Sequence, residues 1–246
     1  MKKLEFTASE SDRALLCTKS IDYKKPFNDS PITLEGNLIH KICELELKQI
    51  IEKKDYSKEI NELKTNQYCS NKNKDMCVYY NHTYDKIIND YVNTIIQVYK
   101  EYKGKEIFIE LRDSILFYDR YANGVIDCLI VGEDYLMILD LKTGRVKVDS
   151  ADSNQLKMYA LSQIQKYAKE KRTFKKIYVG IIQPLIYNKT IVEYSVSDIA
   201  IWYSNQRKKM LEIIHNKKEF APSQKACKYC DYKLECNARI KAGILI

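Results

Sequence analysis

Gly124-Val-Ile-Asp127-Cys-Leu-Ile-Val-Gly132-Glu-Asp-Tyr135-Leu-Met-Ile-Leu-Asp140-Leu-Lys142-Thr-Gly144 holds two apolar runs separated by a turn-forming Gly132-Glu133-Asp134. Such a pattern predicts two extended segments, 124–131 and 135–142, joined tightly. Side chains alternate faces along a strand, so Asp140 and Lys142 share one face while Leu139 and Leu141 take the other. A turn through Glu133 and Asp134 alone makes Gly132 face Tyr135. Counting back then sets Asp127 directly across from Asp140, with Cβ atoms about 5 Å apart. A three-residue loop would instead set Asp127 against Leu139, on the wrong face, so the pairing depends on turn length.

Two carboxylates that close repel each other unless a cation stands between them. A hard divalent ion such as Mg²⁺ meets that need with carboxylate oxygens and retained waters. Lys142, on the same face, can orient an attacking water or stabilise charge developing on a phosphate. The plainer reading is a surface hairpin with solvated charges. Against it, both aspartates lie inside otherwise apolar strands, where lone charges are expensive.

Working outward, residues 33–54 read as an amphipathic helix with Leu34, Leu38, Ile42 and Leu45 on one stripe and Thr33 as its cap. Residues 55–83 are polar and aperiodic, a loop or short helix. A second helix covers 84–102, with Tyr84, Ile88, Tyr91, Ile95, Val98 and Tyr102 at three- and four-residue steps. Strands are expected at 106–118, 175–187 and 190–196, and helices at 151–170 and 197–217, the last capped by Ser197. Helices, three strands, a helix, two strands and a helix make a mixed α/β fold with a locally antiparallel start.

The chain has 246 residues, 45% of them hydrophobic, enough for one substantial domain. It contains no run of about 18 apolar residues, so a membrane span is not expected. The N-terminal MKKLEFTASESDR lacks the apolar core of a signal peptide, so a soluble, cytoplasmic (intracellular) protein is the expectation. Lys plus Arg exceed Asp plus Glu by 41 to 33, a formal charge of +8. That balance suits a polyanionic partner, although a lysine-rich solvated surface explains it equally well. The 20 tyrosines could stack on unpaired bases, but most fall on apolar stripes and are expected in the core.

Eight cysteines in an intracellular chain suggest buried thiols or metal ligands rather than disulfides. Cys227, Cys230 and Cys236 form a compact triad, and a tetrahedral site would need a fourth ligand. Cys43, Cys69, Cys77 and Cys128 read as ordinary packed or surface thiols. Gln155 and Tyr159 share a helix face, and His40 follows Gly36 by one turn. Taken singly, each is an unremarkable helical residue.

Together, Gly36-x-x-x-His40, Gly124-x-x-Asp127, Asp140-x-Lys142-Thr143-Gly144 and Gln155-x-x-x-Tyr159 resemble the RecB-like branch of the PD-(D/E)XK nucleases, in that family's order and spacing. The resemblance spans about residues 7–240. It implies a restriction-endonuclease-like core, with a central mixed sheet flanked by helices. It also implies metal ligation of Mg²⁺ or Mn²⁺ by His40, Asp127 and Asp140, with Lys142 as catalytic lysine. Gln155 and Tyr159 would steady that lysine or a substrate phosphate, and Glu110 matches a further family acid less securely. Asp at 140, where some relatives carry Glu, is an allowed variant.

The cysteine triad extends the resemblance to the cluster-bearing members: AddB-type nuclease domains, CRISPR-adaptation exonucleases and phage-encoded relatives of unassigned role. It looks closest to the phage group. These draw one cysteine from the N-terminal region, which makes Cys17 the fourth ligand of a [4Fe–4S] cluster, with Zn²⁺ or free thiols as alternatives. The implied organisation is a single nuclease domain over 1–246. Within it, 33–102 forms a helical part, 103–217 the catalytic core, and 1–30 with 218–246 a cysteine-cluster subdomain that joins the termini. The implied activity is a metal-dependent DNA exonuclease or end-processing enzyme. It would act on single-stranded ends, with a helicase or recombination partner and no membrane. The competing readings are an inactive nucleic-acid-binding module and a structural metal protein of a larger assembly.

Overall fold

The computed structural model describes residues 2–25, 29–118 and 120–245. Residues 1, 26–28 and 246 of the expected cysteine-bearing segments lie outside them. In chain order the elements are β1 (Lys2–Lys3), α1 (Ser11–Leu16), α2 (Pro31–Glu52), α3 (Ser57–Thr65), β2 (Tyr68–Cys69), β3 (Cys77–Val78) and α4 (Tyr84–Glu101). The second half adds β4 (Glu106–Phe117), β5 (Arg120–Val131), β6 (Tyr135–Leu141), α5 (Asn154–Lys169), β7 (Lys176–Gln183), β8 (Asn188–Ser195), α6 (Val196–Ile214), α7 (Gln224–Lys228) and α8 (Asn237–Lys241).

β4, β5 and β6 form an antiparallel meander, α5 crosses over to place β7 parallel to β6, and β8 returns antiparallel. The hairpin register follows from its turn. Gly132 N–H donates to Tyr135 O at 2.9 Å, and Val131, Ile130, Leu129 and Cys128 then face Leu136, Met137, Ile138 and Leu139. Asp127 and Asp140 come next, where the two strands part and Asp127 Oδ2 accepts from Leu141 N–H at 2.7 Å.

Helices cover both sheet faces. On one, Leu34, Leu38 and Ile42 of α2 and Ile88, Ile95 and Val98 of α4 pack on Cys128, Ile130, Met137 and Leu139. On the other, Leu156, Met158 and Ala160 of α5 and Ile199, Met210 and Ile213 of α6 pack on Ile126, Leu129, Val131, Leu136 and Ile138. Each fully buried aliphatic side chain of this kind contributes about 1.5–3 kcal/mol, so the two layers clamp the sheet firmly. No helix among the described residues is long and apolar enough to cross a membrane.

Three local expectations need correction. Ser30, not Thr33, caps α2: its hydroxyl accepts from Thr33 N–H, and Pro31 occupies the first turn, where no amide donor is needed. Ser195, not Ser197, caps α6 in a reciprocal box with Asp198. The polar segment 55–83 holds α3 and a two-stranded ribbon, β2–β3, in which Cys69 faces Cys77. These two cysteines form a disulfide rather than standing as separate thiols, because the ribbon register sets them directly opposite.

Candidate functional site

The site forms where the sheet loses its regular alternation. Cys128 and Ile130 pack under α2 and α4, and strict alternation would send Ile126 to the same side. Ile126 instead packs with α5 and α6. In β4, Ile107 and Ile109 lie under α2 and α4, whereas both Phe108 and Leu111 face the opposite layer. The slips fall at Asp127 and at Glu110. Ile109 and Leu111 pair with Cys128 and Ile126, which leaves Glu110 across from Asp127. Glu110 adopts a left-handed φ of 52°, a conformation that costs a non-glycine residue about 1–2 kcal/mol. Strain of this sort concentrates at functional sites.

Glu110, Asp127 and Asp140 therefore form a row across three adjacent strands. His40, on α2, reaches the row from the side: its Nδ1 lies 3.6 Å from Asp127 Oδ2 and 3.8 Å from Glu110 Oε1. Donor atoms of His40, Glu110 and Asp127 all lie within 4.8 Å of one another, compatible with one ion having ligands at about 2.1 Å. Asp140 stands outside this trio. It is 4% exposed, its Oδ2 sits 2.7 Å from Lys142 Nζ, and that oxygen has no well-directed hydrogen bond. Gln155 Nε2 donates to Asp140 Oδ1 at 3.3 Å and to the Tyr159 hydroxyl at 3.4 Å. The structure thus gathers His40, Asp127, Asp140, Lys142, Gln155 and Tyr159 of the four motifs in one region and brings Glu110 in beside His40.

The motif glycines have steric reasons. A Cβ on Gly124 would stand 2.4 Å from a ring carbon of Tyr159, and a Cβ on Gly36 would stand 3.1 Å from Thr143 Oγ1. Gly124 therefore lets α5 approach β5, and Gly36 lets α2 approach the turn after Lys142. That approach occurs where β5 lacks a second neighbour. Along this edge β1 pairs at 120–121 and β6 at 128–131, and no strand among the described residues covers 122–127.

Crowding shifts the titration of Asp127, His40 and Lys142. Burial, then Asp140 and Glu110, push Asp127 up to about 7, against the opposing pull of His40. Burial draws His40 down, but Asp127 and Glu110 more than offset it and leave the imidazole raised. Lys142 likewise loses to burial but gains more from Asp140, so its ammonium is held above the usual lysine range. The Tyr159 phenol is pushed well up by burial. An acid with a near-neutral titration beside a permanently charged lysine is an arrangement found at catalytic centres.

Cys17, Cys227, Cys230 and Cys236 are all buried and line one small cavity, which the stacked rings of Tyr23 and Tyr232 also border. Residues two hundred positions apart meet around it: Thr18 Oγ1 donates to Glu212, Glu219 N–H donates to Thr18 Oγ1 at 2.9 Å, and Lys218 pairs with Asp22. No three of these thiols come within 4.8 Å of one another. Cys43 and Cys128 are buried among apolar side chains, and burial raises both thiols strongly.

Residues 5–244 match the model of the family described as "Protein of unknown function (DUF2800)". The chain belongs to that family. No curated protein matches it significantly by sequence. Among solved structures, it is similar to a "Putative exonuclease" from Eubacterium rectale, with 8% identity over 93% of this chain and 85% of that one and a TM-score of 0.52. The crystal structure of SSO0001 aligns over 95% of this chain and 98% of that one, at 14% identity and a TM-score of 0.37, too distant to argue from. The Eubacterium rectale likeness shows a shared fold, a central mixed sheet flanked by helices.

Proposed function

We propose that this DUF2800 protein is a divalent-metal-dependent deoxyribonuclease of the RecB-like PD-(D/E)XK type that degrades or trims DNA ends. One observation carries the reading: a three-strand row of Glu110, Asp127 and Asp140, flanked by His40 and ion-paired to the partly exposed Lys142. Mutual repulsion among these acids has no structural benefit without a cation, and the donor set of oxygens and one imidazole suits Mg²⁺ or Mn²⁺. His40, Glu110 and Asp127 would hold the ion, and Asp140, ion-paired to Lys142, stands beside them. A bound ion would supply Lewis-acid polarisation of the phosphodiester and a lowered pKa for water.

The chain's own residues do the rest. Lys142 presents a permanent charge to the groove it lines together with Gln155, where it can orient water or meet the charge growing on a phosphate oxygen. Gln155 locks Asp140, so the lysine keeps one geometry. Tyr159 anchors Gln155 from within the core, and its raised titration keeps the hydroxyl protonated and able to donate. Four thiols around one small cavity support a metal or cluster site that staples the two chain ends, and the family resemblance makes it a [4Fe–4S] cluster, with Zn²⁺ as the alternative. DNA with single-stranded ends would be the substrate, supplied by a helicase or recombination partner.

The test is cleavage of end-labelled single- and double-stranded DNA with Mg²⁺, Mn²⁺ or EDTA, using anaerobically purified protein and its Lys142→Ala variant. Metal-dependent degradation that the variant lacks is expected. No cleavage by folded, cluster-loaded wild type under either metal would sink the enzyme reading.

A further inference from the structure

The cysteine-bearing C-terminal segment does more than join the chain ends. A groove of about 850 Å³ has Lys142 and Gln155 on one side and Lys225, Lys228 and Tyr229 on the other. The second wall comes from the Cys227-Lys-Tyr-Cys230 turn. Its cysteines are buried, at 5% and 9%, whereas Tyr229 between them is 69% exposed. Burying the two thiols forces the intervening pair outward, so the cavity that gathers the cysteines also aims Tyr229 at the groove.

The surrounding charges sharpen this. The groove carries seven Lys or Arg and five Asp or Glu, a balance that by itself says little. Their pairing is more informative. Lys24 binds Glu10, Arg13 binds Asp231, and Lys225 approaches Asp12 at 3.6 Å. Lys25, Lys147 and Lys228 have no ion pair among the described residues, and Lys228 Nζ sits 5.2 Å over the Tyr229 ring. Unpaired cations beside an exposed aromatic ring suit a strand of phosphates with unpaired bases, since every base offers a face to stack on. Duplex DNA hides those faces.

Building on the nuclease reading above, we propose that Tyr229 is a base-stacking platform and Lys228 its phosphate contact, and that together they guide single-stranded DNA toward Lys142.

The test measures anisotropy of a fluorescein-labelled oligothymidylate in EDTA, so that binding is read without cleavage, on full-length cluster-loaded protein. Tyr229→Ala is expected to weaken binding about tenfold, and Tyr229→Phe or Tyr229→Trp to keep it. Lys228→Ala lowers the log–log salt slope by about 0.7. Tyr118→Ala, on an exposed ring at the β4–β5 turn outside the groove, leaves affinity unchanged, as does Tyr229→Ala with blunt duplex. Wild-type affinity in folded Tyr229→Ala, with DNA still degraded by the wild type, overturns the platform alone. Absence of both binding and metal-dependent cleavage in the wild type overturns the nuclease reading with it.

Discussion

The Tyr159 ring lies against Gly124 so closely that one added methyl group would meet it at 2.4 Å. Since Tyr159 is 2% exposed and holds Gln155, it has little room to yield. Gly124→Ala should destabilise the fold by about 1–3 kcal/mol through overpacking. It should also lower cleavage well beyond that loss, because Gln155 and Asp140 lose their anchor. Thermal unfolding alongside turnover separates the two effects, and a variant with full activity would refute the positioning role.

Removing the ammonium should be costly twice. Lys142→Ala leaves Asp140, in a buried setting, without its counter-charge. A fully buried pair broken this way costs about 3–5 kcal/mol, and less here because the Lys142 side chain is 32% exposed. Cleavage should fall at least about 100-fold, the scale for losing one preorganised charge. Lys142→Arg, which keeps the charge with a different shape, should recover stability and only part of the rate.

Glu110 sets stability against function. Glu110→Gly relieves the left-handed φ and should raise the melting temperature of the metal-free protein. The same change should weaken Mn²⁺ binding, read by electron paramagnetic resonance, about 10- to 100-fold. Undiminished Mn²⁺ affinity would remove Glu110 from the ligand set.

The pH dependence follows from Asp127. Its folded titration, at about 7, lies above that of an unfolded aspartate. Between about pH 4 and 7 the native state therefore holds a proton that the unfolded chain has released. The stabilising contribution is complete at the acidic end of that window and lost as pH rises through 7. In EDTA, Asp127→Asn should flatten the decline in melting temperature that wild type shows between about pH 4 and 7. Metal affinity should run the opposite way and rise as the proton leaves.

Chemistry at the thiols should reach the termini first. Cys17→Ser is expected to bleach the visible absorbance of anaerobically purified protein and lower its melting temperature. Cys128→Ser, which alters a buried thiol in the sheet, should leave the absorbance intact. Retained absorbance in Cys17→Ser would exclude it as a ligand.

Much of the sheet was legible in one dimension because hydrophobic periodicity and a two-residue turn are local properties. Residues 124–144 predict their own hairpin, and the register placing Asp127 after Cys128 follows by counting. The long helices showed themselves by stripes such as Leu34, Leu38 and Ile42. Caps were less readable: Thr33 and Ser197 look as suitable as Ser30 and Ser195, and backbone geometry alone chooses between them. The pairing of Cys69 with Cys77 was equally hidden, since ribbon register in a polar segment leaves no apolar signature.

By itself, the sequence determined which side chains share a strand face or a helix turn, since period and spacing are properties of the chain alone. It could not determine which distant faces meet. Placing His40 within 4 Å of Glu110 and Asp127 required α2 to pack over β4 and β5. Separating Asp140 toward Lys142 required the strands to part at one residue. Gathering Cys17 with Cys227, Cys230 and Cys236 required the two chain ends to meet. These contacts depend on layer packing and on the slip in alternation at Glu110 and Asp127, which arise only when several elements compete for the same space.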